Sequence, residues 1–172
     1  MSAHAATFTH SVQEGLPSYV LRRPRLQEPQ AKQGQMFYLS PIERAGLVKQ
    51  GVPARTVAEL SVAMGVPRDQ LLRVLGLARS TVERKISAKR ALSSDESEKL
   101  VGLARLIGQV AAMVGEGEDA PADFDAARWF ARWMAEPAAA LGGMRPDALL
   151  DTADGREAIS HLLSQMKSGA YA

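Results

Sequence analysis

The sequence predicts an all-α protein, with a helix-turn-helix domain followed by a small helical domain. Beyond residue 40, apolar residues recur every three or four positions, which is the spacing of one helix face. Serine–glutamate capping boxes precede two of these stretches, at Ser40 with Glu43 and at Ser93 with Glu96. No stretch alternates apolar and polar residues for long enough to indicate a sheet. We expect a flexible basic segment over residues 1–37, a helix-turn-helix domain over 38–115, and a second helical domain over 120–172.

Five helices are predicted in the first domain, each bounded by a capping residue, a proline or a glycine. Their expected limits are Ser40 to Gln50, Pro53 to Met64, Pro67 to Gly76, Ser80 to Lys89 with Ser80 as the cap, and a long helix from Ser93. The residues expected to be buried are Val57, Leu60, Met64, Leu71, Leu72, Leu75, Val82, Ile86, Leu100, Leu103, Ala104, Ile107, Val110, Ala111 and Val114.

The second domain begins after an acidic, glycine-rich connector over residues 115–121. One helix is expected to end at Pro137, a turn at Gly142-Gly143, a short helix at Pro146, and a last helix over about 154–168. Apolar positions at helical spacing are Phe124, Ala127, Phe130, Met134, Ile159, Leu162, Leu163 and Met166. We expect Trp129 and Phe130 to lie largely in the core, and Trp133 near its edge, although exposed aromatic clusters also form partner surfaces.

Composition excludes several functional classes. The 172 residues include no cysteine, so disulfides, thiolate metal sites and cysteine nucleophiles are absent. The acidic residues Asp147, Asp151 and Asp154 lack the spacing of a calcium loop, and no catalytic triad or phosphate-binding loop is present. We therefore expect no enzyme activity, cofactor or metal. With no membrane-spanning apolar run and no signal peptide, we expect a cytoplasmic protein without a membrane partner.

Charge is divided unevenly along the chain. Residues 1–93 carry 14 Lys and Arg against 6 Asp and Glu, whereas residues 94–172 carry 7 against 13. The basic half contains the Pro67–Lys89 helix-turn-helix candidate, whose second helix would enter a DNA major groove. The residues expected to contact DNA are Arg79, Ser80, Thr81, Arg84, Lys85, Lys89 and Arg90. The same pattern also fits an ordinary helical hairpin with a solvated basic face.

Two ordered sets of residues resemble a known family. The first set is Ile42-Glu43, Gly51-Val52-Pro53, Leu75-Gly76-Leu77, the run from Ser80 to Lys85, Leu92-Ser93 and Glu96-Ser97. The second is Ala127, Trp129-Phe130, Pro137, the run from Ala140 to Gly143, Pro146, the run from Leu149 to Thr152, Gly155, Leu162-Leu163 and the run from Gly169 to Ala172. Over about residues 40–172 the chain resembles the Xre/MbcA/ParS-type antitoxins, partners of RES-domain toxins in bacterial type II toxin–antitoxin modules.

The resemblance implies a function for each half. The basic domain would form a homodimer and bind the operator DNA of its own operon. The acidic domain would bind a RES-domain toxin, which consumes NAD, and cover its active site. The implied toxin-binding residues are Asp147, Asp151, Arg156, Lys167, Gly169, Ala170, Tyr171 and Ala172. The alternative is a stand-alone transcription regulator whose second domain only oligomerises or senses a ligand.

Overall fold

The computed structural model describes residues 39–115 and 124–167. The α-helices in these ranges are α1 (Pro41–Gln50), α2 (Thr56–Met64), α3 (Arg68–Val74), α4 (Arg79–Ser87), α5 (Ser94–Gly115), α6 (Ala126–Trp133) and α7 (Ala153–Lys167). Short 3-10 helices cover Ala139–Leu141 and Pro146–Leu149. The β-pairing in the described ranges is one isolated bridge between Pro53 and Ala91, so the all-α prediction is confirmed.

Both predicted capping boxes form. The Glu43 amide donates to Ser40 Oγ at 3.2 Å, and the Ser40 amide donates to Glu43 Oε2 at 2.7 Å. At the start of α5, the Ser93 amide donates to Glu96 Oε2 at 2.7 Å, and the Glu96 amide donates back to Ser93 Oγ at 3.3 Å. Each box satisfies two backbone donors that a helix N-terminus otherwise leaves without partners.

Two predicted helix starts were wrong. Helix α2 begins at Thr56 rather than near Pro53, because the backbone of residues 52–54 pairs with residues 90–92. The Ala54 amide donates to the Arg90 carbonyl at 3.0 Å, and the Leu92 amide donates to the Val52 carbonyl at 2.8 Å. Helix α4 begins at Arg79 after an extended Ala78, so Ser80 lies inside the first turn and does not cap it. Helix α6 also ends early, at Trp133, before Pro137 is reached.

Helix α5 is the central element of a single hydrophobic core. It packs against α1, α6 and α7, and core residues come from both halves of the chain. Its predicted positions Leu100, Leu103, Ile107 and Val110 are buried, but so are residues on its other faces, including Leu106. The regions expected to form two domains therefore share one core. The division of the chain into two domains stays a prediction.

A glycine sets the approach of α7 to the preceding 3-10 helix. A Cβ added to Gly155 would lie 2.0 Å from the Leu149 carbonyl oxygen and 2.7 Å from Thr152 Oγ1. No side chain fits at that distance, so the first turn of α7 can touch the Leu149–Thr152 segment only with glycine at this position. This contact fixes the residues just before α7 against the helix.

Candidate binding surfaces

Helices α3 and α4 form the predicted helix-turn-helix. Gly76 adopts φ of 59° in the turn between them, a left-handed conformation that glycine takes at little steric cost. Leu75 and Val82 are fully buried and anchor the two helices to the core. The opposite side of α4 faces solvent, which is the geometry required of a helix that enters a DNA groove.

The seven predicted DNA-contacting residues do not share one environment. Those exposed to solvent are Arg79, Ser80, Arg84, Lys89 and Arg90, whereas Thr81 is partly buried. Arg79 is paired, since its Nη1 lies 2.6 Å from Asp69 Oδ2 on α3. A second pair joins the same helices, from Arg68 Nε to Glu83 Oε1 at 2.9 Å. Within the described ranges, Arg84, Lys89 and Arg90 form no ion pair, so these three cations are available to an external anion.

Lys85 does not lie outside as predicted. Its side chain is 19% exposed and forms a salt bridge with Glu96 at the start of α5. Burial acts to raise the pKa of Glu96, but the hydrogen bonds from Lys85 and the Ser93 amide outweigh burial and place that pKa below its ordinary value. Lys85 thus ties α4 to α5, and its charge is largely neutralised inside the chain.

One exposed cation of the helix-turn-helix was not among the predicted DNA contacts. Arg73, in the last turn of α3, is exposed, and its carbonyl accepts a hydrogen bond from the Gly76 amide at 3.0 Å. It follows two buried leucines, Leu71 and Leu72, so helical spacing alone could have placed it on the outer face.

The implied toxin-binding residues are spread over several environments. Asp147 is 12% exposed at its side chain and pairs with Arg145, and its amide donates to the Met134 carbonyl at 3.0 Å. Asp151 and Lys167 are exposed. The predicted residues Gly169, Ala170, Tyr171 and Ala172 lie outside the described residues.

Asp151 lies beside the turn of the helix-turn-helix. A Cβ placed on Gly76 would be 3.3 Å from the Asp151 Cβ and 3.3 Å from Lys99 Nζ. Lys99 Nζ also donates to the Gly76 carbonyl at 3.2 Å. The candidate DNA and toxin surfaces therefore meet at this turn, rather than lying on separate lobes.

Arg156 was expected to contact the toxin at the surface, but it is buried, with 3% of its area exposed. Its Nη1 donates to the Leu150 carbonyl at 2.7 Å, and its Nη2 donates to Glu98 Oε1 at 2.6 Å. Glu98 was not singled out by the sequence. The two residues are 58 positions apart, and no local pattern connects them.

The aromatic residues of α6 divide between core and surface. Phe130 is fully buried, as predicted. Trp129 and Trp133 are both partly buried and stack on each other, with ring centroids 5.9 Å apart and an interplanar angle of 9°. Trp129 was expected deeper in the core. It lies one helical turn before Trp133, on the same side of α6, so both rings lie at the edge of the core.

The described ranges hold no group of three or more side chains arranged to bind a metal ion. In the same ranges, no helix is both long and apolar enough to cross a membrane.

Comparison with known proteins identifies both halves of this arrangement. The sequence matches the family model "Antitoxin Xre-like helix-turn-helix domain" over residues 43–105 and "Antitoxin Xre/MbcA/ParS C-terminal toxin-binding domain" over residues 110–169. A protein of Sphingobium sp. (strain YBL2) named "Prs ADP-ribosylating antitoxin" is 37% identical over 137 residues, covering 80% of this chain and 86% of that protein. A protein of Photorhabdus laumondii subsp. laumondii named "Antitoxin Xre" is 22% identical over 123 residues, covering 72% and 77%. With a helix-turn-helix and a toxin-binding region in that order, the chain belongs to the Xre/MbcA/ParS-type antitoxins of toxin–antitoxin systems and is not an enzyme.

Proposed function

We propose that this antitoxin neutralises a RES-domain, NAD-consuming toxin by covering its active site, and that it represses its own operon by binding operator DNA as a homodimer in the cytoplasm. The observation that carries the proposal is the match of residues 110–169 to a toxin-binding domain. In the same chain, that region follows a helix-turn-helix with exposed cations, among them Arg84, Lys89 and Arg90, that have no ion-pair partner in the described ranges.

The arrangement of α4 supports the DNA part of the proposal. Arg84 lies on the exposed side of the helix, and Lys89 and Arg90 follow the helix end. Exposed cations at these positions can contact phosphates, and an arginine fork can also bind a guanine edge. Two salt bridges also join α3 to α4, from Arg68 to Glu83 and from Arg79 to Asp69.

Charge and chemistry support the toxin part. Residues 94–172 carry 13 acidic against 7 basic residues, which suits a pocket built for the anionic pyrophosphate of NAD. The name of the Sphingobium relative refers to ADP-ribosylation, a transfer for which NAD is the ordinary donor. The residues proposed to enter the pocket are Gly169, Ala170, Tyr171 and Ala172, among which Tyr171 supplies a ring and a hydroxyl.

Deletion of residues 169–172 tests how neutralisation works. We expect the truncated protein to fold and bind DNA, because these residues lie outside every predicted core position. It should still form some complex with the toxin but inhibit it much less. The toxin is expected to be the product of the neighbouring gene. Its release of nicotinamide and its transfer of ADP-ribose are measured with full-length and truncated antitoxin. Full inhibition by the truncated chain would assign the blocking to residues 147–163 instead.

Copurification with the product of the neighbouring gene tests the partner itself. A RES-domain protein that copurifies with the antitoxin supports the proposal. Absence of any such complex would favour the stand-alone regulator, for which the second half of the chain has another use. Light scattering of the free antitoxin tests the homodimer separately.

A further inference from the structure

We propose that Arg156 is a positioning residue: held by Glu98 of α5, it fixes the backbone that presents Asp151 to the toxin. This inference rests on the proposed toxin-binding role of Asp151. Glu98 lies in the segment that matches the helix-turn-helix model. Under this proposal, Glu98 nevertheless influences the affinity for the toxin.

The Arg156 side chain reaches the peptide group next to Asp151. Its Nη1 donates to the Leu150 carbonyl at 2.7 Å, and that carbonyl belongs to the same peptide plane as the Asp151 amide. Leu150 is fully buried, whereas Asp151 is exposed. The hydrogen bond therefore fixes the plane from which the exposed carboxylate projects.

Glu98 holds the other end of the guanidinium. Arg156 Nη2 donates to Glu98 Oε1 at 2.6 Å, and the Glu98 side chain is 46% exposed while that of Arg156 is 4% exposed. An arginine buried to this degree needs an anion and hydrogen-bond acceptors to offset its lost hydration. Glu98 and the Leu150 carbonyl supply both, so the position of α5 determines where the guanidinium lies.

Gly102 provides the space that this arrangement needs. It lies one turn after Glu98 on α5, and a Cβ added there would be 2.5 Å from Arg156 Nε and 2.8 Å from Arg156 Cδ. The Arg156 side chain thus lies directly across the α5 backbone. An alanine at position 102 would force it aside while leaving both charged groups in the protein.

The segment around Asp151 is held on its other side as well. Thr152 Oγ1 accepts a hydrogen bond from the Gly155 amide at 3.1 Å, and Gly155 packs closely on the Leu149 carbonyl. These contacts keep the segment against α7 when the Arg156 bond is lost. We therefore expect displacement of Arg156 to shift the Leu150–Asp151 peptide without unfolding α7.

The same helix pair offers a matched control. Arg105 Nη2 lies 2.8 Å from Glu157 Oε2, and this pair also joins α5 to α7. Glu157 follows Arg156 in sequence, but its side chain is 71% exposed, and neither residue of this pair bonds the Leu149–Thr152 segment. Loss of the control pair changes the charge and the contacts between the helices, without releasing the Leu150 carbonyl.

The experiment compares Gly102→Ala and Arg156→Met with Arg105→Met and Glu157→Gln in the full chain. Toxin dissociation constants are measured well below each melting temperature, and amide NMR shifts of Asp151 and Thr152 report the segment's position. We expect Gly102→Ala and Arg156→Met to weaken toxin binding about tenfold or more and to move both amide signals. The two control variants should bind as the wild type does and leave those signals in place.

Unchanged toxin affinity in folded Gly102→Ala and Arg156→Met proteins would overturn the proposal and leave Arg156 with a role in stability alone. Equal weakening by the control variants would also overturn it, because any α5–α7 contact would then suffice. The Asp151→Ala variant could bind the toxin as tightly as the wild type, while the NMR signals are still displaced in Gly102→Ala. This result would show that the position of the segment does not affect toxin binding, and it would overturn the proposal. A wild-type chain that does not bind the toxin would instead refute the proposed function.

Discussion

Replacement of Arg84, Lys89 and Arg90 by glutamine removes the three exposed cations at the end of α4 that have no ion-pair partner in the described ranges. None of the three side chains is buried, so the fold should persist. Lys85 is left intact in this variant, because its salt bridge with Glu96 stabilises the contact between α4 and α5. The perturbation therefore addresses DNA contacts without disturbing the core.

The expected effect follows from counterion release. Each phosphate contact contributes about 0.9 to the slope of log affinity against log salt concentration, so loss of three contacts should reduce that slope by about 2.7. Between about 50 and 200 mM salt, the affinity of the variant should then fall about 40-fold less than that of the wild type. If two nitrogens of the Arg84 guanidinium also donate to one guanine, Arg84→Gln alone should reduce the preference for that base over others by about 1–3 kcal/mol.

Fluorescence anisotropy with the promoter fragment, at several salt concentrations, measures both quantities. The matched control replaces Arg128, Arg132 and Arg145, three exposed arginines of the second half, by glutamine and removes the same net charge. Its salt slope should remain that of the wild type. A folded triple variant of Arg84, Lys89 and Arg90 with unchanged affinity and slope would refute the assignment of this surface.

Two further predictions concern stability. Phe130→Ala should lower the free energy of unfolding by about 3–5 kcal/mol, because the ring is fully buried. Urea unfolding measures this change. A stable variant that fails to bind toxin would instead place Phe130 at the interface. The pKa of Glu96 is held below its ordinary value of 4.5 in the folded protein. The charged Glu96 therefore stabilises the fold fully above pH 4.5, and this stabilisation is lost as the pH falls through the lower pKa of the folded state. Glu96→Gln should therefore lower the free energy of unfolding by about 1 kcal/mol near neutral pH, as loss of a helix cap does. In thermal unfolding, the difference from wild type should shrink below pH 4.5. A constant difference down to about pH 3 would contradict this.

Several local elements of the fold could be predicted from neighbouring residues alone. Ser40 with Glu43 and Ser93 with Glu96 form their capping boxes because the partners stand three residues apart and need no distant contact. Gly76 takes its positive φ in the helix-turn-helix for an equally local reason, the absence of a Cβ. Helical spacing also identified Phe130 as a core residue.

Which polar residues are available to partners depends on contacts between distant parts of the chain. Lys85 has the sequence context of a DNA contact, yet the packing of α4 on α5 brings Glu96 to it and neutralises its charge. Arg156 has the context of a surface cation, yet Glu98, 58 residues away, and the space over Gly102 bury it. Helical periodicity assigns one buried face to a helix, whereas α5 is covered on several faces by elements from both halves of the chain. Such contacts depend on where the chain returns in space, which residue spacing along a single helix does not specify.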